Sequence, residues 1–390
     1  LLTLLVACAA HAQQQDPLRR PVVYTLPGAE QVVVERDLTY RTVEGVALKM
    51  DVYAPPNLKE GTRLPAVIFV NGVGDPPAGR PKLKEWGQYT SWGRLVAASG
   101  MVAVTYESRE LEPYKDTESA IDYVRRNAAA LKVDENKIGV WACSANVRIG
   151  LPLVMEGGHK FIRSAVFYYG PMDAPTMRQD IPLFVARAGF DNANLNNSID
   201  EFMRQAVAED VPATFVNYAD GQHGFDLVDD NDKSREIVRQ TLEFIKFNTS
   251  REVASGDAVR RAPSPARFRA MIEREGMRKA LQAYEEAKKA EPGAFLFREQ
   301  TVNGLGYQLL RAGKVKEAVE IFKLNVAAYP KSSNVYDSLS DGYEADGNKE
   351  LAIQYAEKAL EVLPGDSIPE QAKTGIRDAA TQKLKRLKGQ

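Results

Sequence analysis

From Gln31 to about Asn248 the chain alternates short β-branched apolar runs with amphipathic stretches of helical period, and few folds accommodate that order. QVVVERDLTY and VALKMDVYAP read as two strands, LPAVIFVNG as a buried strand, WGRLVAASG as a helix closed by glycine, and MVAVTYE as the next buried strand. A helix is expected from about Asp116, where Ala120, Ile121 and Val124 recur at helical spacing. KIGVWA, a helix opening near Ala145, FIRSAVFYYG, IPLFVARAG, a helix near Asp200 to Glu209, ATFVNYAD and a helix near Asp232 to Phe247 continue the series. Strands alternating with helices predict an α/β fold, a mostly parallel sheet covered on both faces. Ligands of such sheets lie beyond the carboxyl ends of the strands.

The flanks of this region read differently. LLTLLVACAAHAQQQ pairs a short apolar run with Ala10-His11-Ala12, a small-x-small cleavage pattern, so residues 1–12 are expected to be a signal peptide truncated at its start. An exported protein, periplasmic or secreted, follows from that reading. Leu5-Val6-Ala7-Cys8 supports a second one, in which Cys8 carries a lipid anchor. Residues 13–30 form an extended segment ahead of the α/β domain at 31–249. Removal of the signal leaves Cys143 as the one thiol, so no disulfide within the chain is expected. Lysine plus arginine (51) nearly balance aspartate plus glutamate (52), which gives no electrostatic reason to expect nucleic acid as a partner. No transmembrane helix is expected in the mature chain.

Residues 250–267, SREVASGDAVRRAPSPAR, are polar, proline-containing and aperiodic, and read as a linker. Beyond it, at 268–390, the chain repeats. An offset of 34 residues superposes Ala318, Phe322 and Pro330 on Ala352, Ala356 and Pro364, and also pairs Leu305 with Leu339 and Gly313 with Gly347. That period predicts stacked helix hairpins, each burying its apolar face on a neighbour. An earlier unit shows in Ala280, Tyr284, Ala287 and Pro292, although Pro292 and Pro330 are 38 residues apart.

The chemistry sits in the first region. Acyl transfer to a hydroxyl needs a nucleophile, a base, an acid that orients the base, and N–H donors for the oxyanion. Ser144 is the centre of Ala142-Cys143-Ser144-Ala145-Asn146, which ends a predicted strand and opens a predicted helix. A serine exposed on such a turn usually has glycine two residues before and two after, because those positions approach each other closely. Alanine meets the first demand. Asn146 departs from the second, and its polar side chain must fit between strand and helix or turn outward. Cys143 is a rival nucleophile, but a side chain one residue earlier is expected to face the packed layer.

Of three histidines, His11 falls in the signal. His159, in GGHK, lies on a polar loop, whereas His223, in Gly221-Gln222-His223-Gly224-Phe225-Asp226, follows the last predicted strand and is the expected base. Asp191 follows the preceding strand and is the expected acid in the order Ser, Asp, His, with Asp200, Asp220 and Asp226 as competitors. The backbone N–H groups of Ala145 and Val73, the latter in Asn71-Gly72-Val73-Gly74, are the expected oxyanion donors. NGVG lacks the Gly-Lys-Ser of a phosphate loop.

VIFVNGVG, IDYVRRNAAALKVDENKIGVWACSA, PLFVARAGFD and GQHGF together resemble the dienelactone hydrolase-like esterases of the α/β-hydrolase superfamily. The resemblance implies a Ser144, Asp191, His223 triad acting on a small carboxylic ester or lactone, with no cofactor and no metal. Ala280 to Asp366 looks like tetratricopeptide repeats, with Tyr336 where tryptophan is usual. Repeats of that kind imply a possible protein partner. Two other functions stand beside esterase: a peptidase or amidase on the same triad, and an inert hydrolase fold that serves a repeat-based binding module.

Overall fold

The computed structural model describes residues 17–77, 79–156, 158–173, 176–250, 263–290 and 297–389. The signal at 1–12, Cys8, Pro292 and most of the linker lie outside the described residues. The chain divides into two compact units between Ala254 and Ser255.

The first unit is built on one eight-stranded sheet. Its strands are β1 (Val33–Val43), β2 (Val46–Ala54), β3 (Leu64–Phe69), β4 (Val102–Tyr106), β5 (Val133–Cys143), β6 (Ile162–Tyr168), β7 (Leu183–Ala188) and β8 (Ala213–Tyr218), in the order β1-β2-β4-β3-β5-β6-β7-β8. β1 with β2 and β2 with β4 pair antiparallel, and every other pair is parallel. The chain steps from β3 outward to β4 and then back past β3 to β5. That reversal places the loops after β3 and β5 side by side at the carboxyl edge, where open α/β sheets hold ligands.

Among the described residues six α-helices accompany the sheet: α1 (Gly87–Ala98), α2 (Pro113–Arg126), α3 (Val147–Met155), α4 (Ala193–Ala208), the single turn α5 (Phe225–Val228) and α6 (Asp232–Ser250). Alternate strand residues face opposite layers. Val67, Phe69, Trp141 and Cys143 pack with α1 and α6, whereas Ala66, Ile68, Val140 and Ala142 pack with α2, α3 and α4. Trp141 anchors the first layer, its ring 5.2 Å from Phe69, 5.4 Å from Trp92 and 5.6 Å from Tyr168.

Three helix starts differ from the expected ones, α1 opening at Gly87 rather than Trp92. α2 begins at Pro113, where proline's fixed φ suits a first helical turn. α4 begins at Ala193 because Asn192 caps it, its side chain accepting from the Asn194 N–H at 2.8 Å. The linker is also shorter than expected. Pro265 to Arg267 already form the first turn of the next helix, capped by Ser264.

The second unit consists of α7 (Pro265–Glu275), α8 (Met277–Ala290), α9 (Glu299–Arg311), α10 (Val315–Ala328), α11 (Ser333–Ala345), α12 (Lys349–Val362) and α13 (Glu370–Lys388). The 34-residue offset superposes the hairpin α9–α10 on α11–α12. Gly313 and Gly347, at φ 74° and 75°, turn the chain at equivalent places in a conformation that disfavours side chains. Phe322, fully buried, sits between the two hairpins: a Cβ on Gly306 or Gly342 would come within 2.3 or 2.9 Å of its ring. Phe322→Ala should therefore destabilise this unit by about 3–5 kcal/mol, the cost of emptying a packed aromatic site. Urea unfolding followed by far-ultraviolet circular dichroism should show the helical transition at lower urea; a wild-type midpoint would contradict the packing described.

Candidate active site

β5 runs through the centre of the sheet and ends at Cys143, and the chain then turns sharply through Ser144–Asn146 into α3. Ser144 has φ 50°, in the left-handed region that side chains avoid at a cost of about 1–3 kcal/mol. Strain of this kind presents a side chain at the tip of the turn. The close approaches that flanking glycines usually permit are met here by glycines further along the chain. A Cβ on Gly150 of α3 would lie 2.9 Å from the Ala142 Cβ, and one on Gly170 would lie 2.2 Å from Val147 and 2.4 Å from the Ser144 carbonyl oxygen.

Three expected residues come together on this rim. Ser144 Oγ lies 2.9 Å from His223 Nε2, and His223 Nδ1 lies 2.6 Å from Asp191 Oδ2. Asp191 follows β7, and its second oxygen accepts the Asn192 N–H at 2.7 Å. Gly189 makes that loop possible, since a Cβ there would collide with the Ala219 carbonyl. His223 follows β8 and is held from both sides. Gln222 before it donates through backbone and side chain to Asp229 at 2.9 and 2.8 Å, and the Tyr169 ring packs 4.8 Å from the imidazole. The imidazole is exposed while the Asp191 carboxylate is nearly covered.

The other candidates are placed elsewhere. His159 Nδ1 contacts the Leu153 carbonyl oxygen at 3.0 Å. Asp200 pairs with Arg187, and Asp220 is exposed. Asp226 is fully buried beneath the site, where Tyr169 Oη, Trp92 Nε1 and Gln88 Nε2 donate to its carboxylate at 2.5, 2.9 and 3.0 Å. Burial pushes its pKa up, and these three donors work against that shift. Cys143 faces the aromatic layer near Tyr89 Oη and Gln88, and burial pushes its thiol up to about 12. Among the described residues no cluster of three or more His, Cys, Asp or Glu could hold a metal ion.

The oxyanion side differs from expectation. Ala145 is the second residue of the turn Ser144–Asn146, where a first-turn N–H has no acceptor within its own helix. Val73 does not present a free N–H: it donates to Asn146 Oδ1 at 3.1 Å, and Gly72 N–H donates to the same oxygen at 2.7 Å. Asn146 is thus neither a misfit nor turned outward. It is 5% exposed and also donates through Nδ2 to Tyr89 Oη at 2.9 Å. Nothing in the pentapeptide signalled this bridge, because its partners lie more than fifty residues away.

A cleft of about 340 Å³ opens along α3, lined by Val147, Arg148, Leu151, Pro152, Pro171 and Asp173. Its lining starts three residues after Ser144. A hydroxyl bonded to an imidazole that is itself oriented by a carboxylate can lose its proton to the ring while attacking an electrophilic carbon.

No protein-family model and no curated protein matches this chain. Solved structures do show similarity. A truncated carbohydrate esterase from gut microbiota is 14% identical, with 60% of this chain and all (100%) of that one covered, at a TM-score of 0.44. An esterase from the Planctomycetes species Thermogutta terrifontis is 21% identical, covering 58% of this chain and 97% of its own, also at 0.44. MGS-M1, an α/β-hydrolase from a deep-sea metagenome library, is 17% identical, covering 56% and 99%, again at 0.44. These likenesses are distant and cover no more than 60% of this chain, so the reading of the site rests on its own geometry.

The thiolate is the reactive form of cysteine, and a thiol pushed up to about 12 stays protonated at pH 8. Cys143 should therefore resist iodoacetamide at pH 8 in the folded protein and alkylate fully in urea, as read by intact mass. Rapid labelling of the native protein would contradict its placement.

Proposed function

We propose that this chain is a serine hydrolase of the α/β-hydrolase superfamily, similar to dienelactone hydrolase-like esterases, that cleaves a small carboxylic ester through an acyl-enzyme on Ser144. The observation that carries this reading is the chain of contacts from Ser144 Oγ through His223 to Asp191, at 2.9 and 2.6 Å. Ser144 Oγ bonds to the ester carbon as its proton passes to His223 Nε2, and the carbonyl oxygen takes the negative charge. The bond from carbon to the alcohol oxygen then breaks, and His223 returns the proton to that leaving oxygen. Water repeats the sequence in reverse, giving its proton to His223 as it attacks the acyl carbon, and Ser144 leaves with that proton. Asp191 keeps Nδ1 protonated and stabilises the imidazolium that forms in each half.

The cleft is at the small end of ligand sites, which run from about 300 to 1,000 Å³. It carries one charge of each sign, Arg148 and Asp173, among apolar side chains. The helix hairpins of the second unit are proposed as tetratricopeptide repeats, with protein binding as their role. The signal-like start supports export of the chain.

Ser144→Ala should lower kcat for p-nitrophenyl acetate by about four to six orders of magnitude, and Asp191→Asn by about four, as in triads generally. Cys143→Ala should keep most of the activity. Full activity in Ser144→Ala would end the proposal, and a wild type inert toward an ester panel would favour the binding-module reading.

A further inference from the structure

The loop after β3 is tied down from Asn71 to Asp75. Asn71 donates its N–H to Tyr106 Oη and its side-chain amide to Asp75 and to the Tyr106 carbonyl oxygen. Asp75 in turn accepts the Leu83 and Ser108 N–H groups at 2.7 and 2.8 Å. Gly74, at φ 77°, passes so close to the backbone of Glu110 that a Cβ would lie 2.5 Å from it. Between these ties sit Gly72 and Val73, whose successive N–H groups converge on one acceptor, Asn146 Oδ1. Two adjacent N–H groups aimed at a single oxygen form a cradle suited to negative charge. Here the protein's own amide fills it, and that amide belongs to the residue two places after Ser144.

The amide is fixed on its other side as well. Nδ2 donates to Tyr89 Oη, and Tyr89 is almost wholly buried. With two N–H donors on one end and a hydroxyl on the other, the amide has a single satisfied orientation.

We propose that Asn146 is the positioning residue of the oxyanion site. Its oxygen holds the Gly72 and Val73 N–H groups beside the elbow in the free enzyme, and the longer of the two bonds, from Val73, shifts to the substrate oxygen as charge develops there. This rests on the acyl-enzyme reading given above. The physical reason lies in the acceptors being exchanged. An amide oxygen and an ester carbonyl oxygen are both neutral, so moving the Val73 N–H from one to the other gains little when substrate binds. An oxyanion accepts a hydrogen bond about twice as strong. The gain is therefore confined to the transition state, where it raises kcat without tightening substrate binding. The shorter bond from Gly72 stays on Asn146 throughout and keeps the loop from drifting.

The test compares Asn146→Ala and Tyr89→Phe with wild type, using p-nitrophenyl acetate and two inhibitors. A short alkyl trifluoromethyl ketone forms an oxyanion adduct on the serine, whereas the matching methyl ketone binds as a neutral carbonyl. Asn146→Ala should lower kcat by about 10- to 100-fold, less than outright loss of an oxyanion donor, with KM changed by no more than about threefold. Its affinity for the trifluoromethyl ketone should fall by a similar factor while that for the methyl ketone holds. Tyr89→Phe, which removes one oxygen, should show the same pattern at about three- to tenfold. An unchanged or raised kcat in Asn146→Ala, or equal weakening of both ketones, overturns the proposal. If Asn146→Ala does not fold, wild-type kinetics in Tyr89→Phe overturn it. Wild-type turnover that does not depend on Ser144 would instead remove the underlying reading; Ser144-dependent turnover with an indifferent Asn146→Ala removes this inference alone.

Discussion

Ser144 is held at φ 50° by a turn that neither its own residue type nor its neighbours favour, so the surrounding packing has to enforce it. β5 supplies one fixed end, hydrogen-bonded on both sides to β3 and β6. α3 supplies the other, drawn against the strand end by the missing side chains of Gly150 and Gly170. A methyl group at Gly150 would crowd the Ala142 side chain, and one at Gly170 would collide with Val147 and the Ser144 carbonyl oxygen. The position of that hydroxyl is thus a property of the whole centre of the sheet, even though the turn spans only a few residues.

A second layer of support lies under the imidazole. Tyr169 follows β6 at φ 31°, places its ring against His223, and passes its hydroxyl down to the buried Asp226. Asp226 draws in Trp92 and Gln88 from α1, and its own carbonyl oxygen accepts the Val23 N–H from the N-terminal segment. Elements far apart in the chain therefore meet at one carboxylate next to the histidine loop. A buried carboxylate survives there because donors surround it. Losing one of them would leave a costly unpaired group directly beneath the site.

Much of this was legible in the residues. Period-two and period-3.6 patterns are local, so the strands and most helices could be read directly, and the positions of Ser144, Asp191 and His223 at strand ends followed from them. The 34-residue spacing was legible for the same reason, since α9–α10 and α11–α12 are equivalent hairpins turned at Gly313 and Gly347. The role of Asn146 was not. Its meaning depends on Gly72, Val73 and Tyr89, which only the crossover from β4 back to β5 brings alongside. Asp226 likewise looked like one carboxylate among several, because burial by Trp92 and Tyr169 leaves no mark in the neighbouring sequence. The early start of α4 was hidden in a run of asparagines whose capping geometry overrides their weak helix propensity.

The central claim is that one hydroxyl on this rim is nucleophilic because an oriented imidazole removes its proton. Treatment of the native protein with a fluorophosphonate, followed by proteolysis and tandem mass spectrometry, tests that claim most directly. The account predicts a single covalent adduct on Ser144, formed quickly in wild type and lost when His223 is replaced by alanine. No adduct, or one that maps to Cys143, Tyr169 or another side chain with Ser144 unmodified, would contradict it.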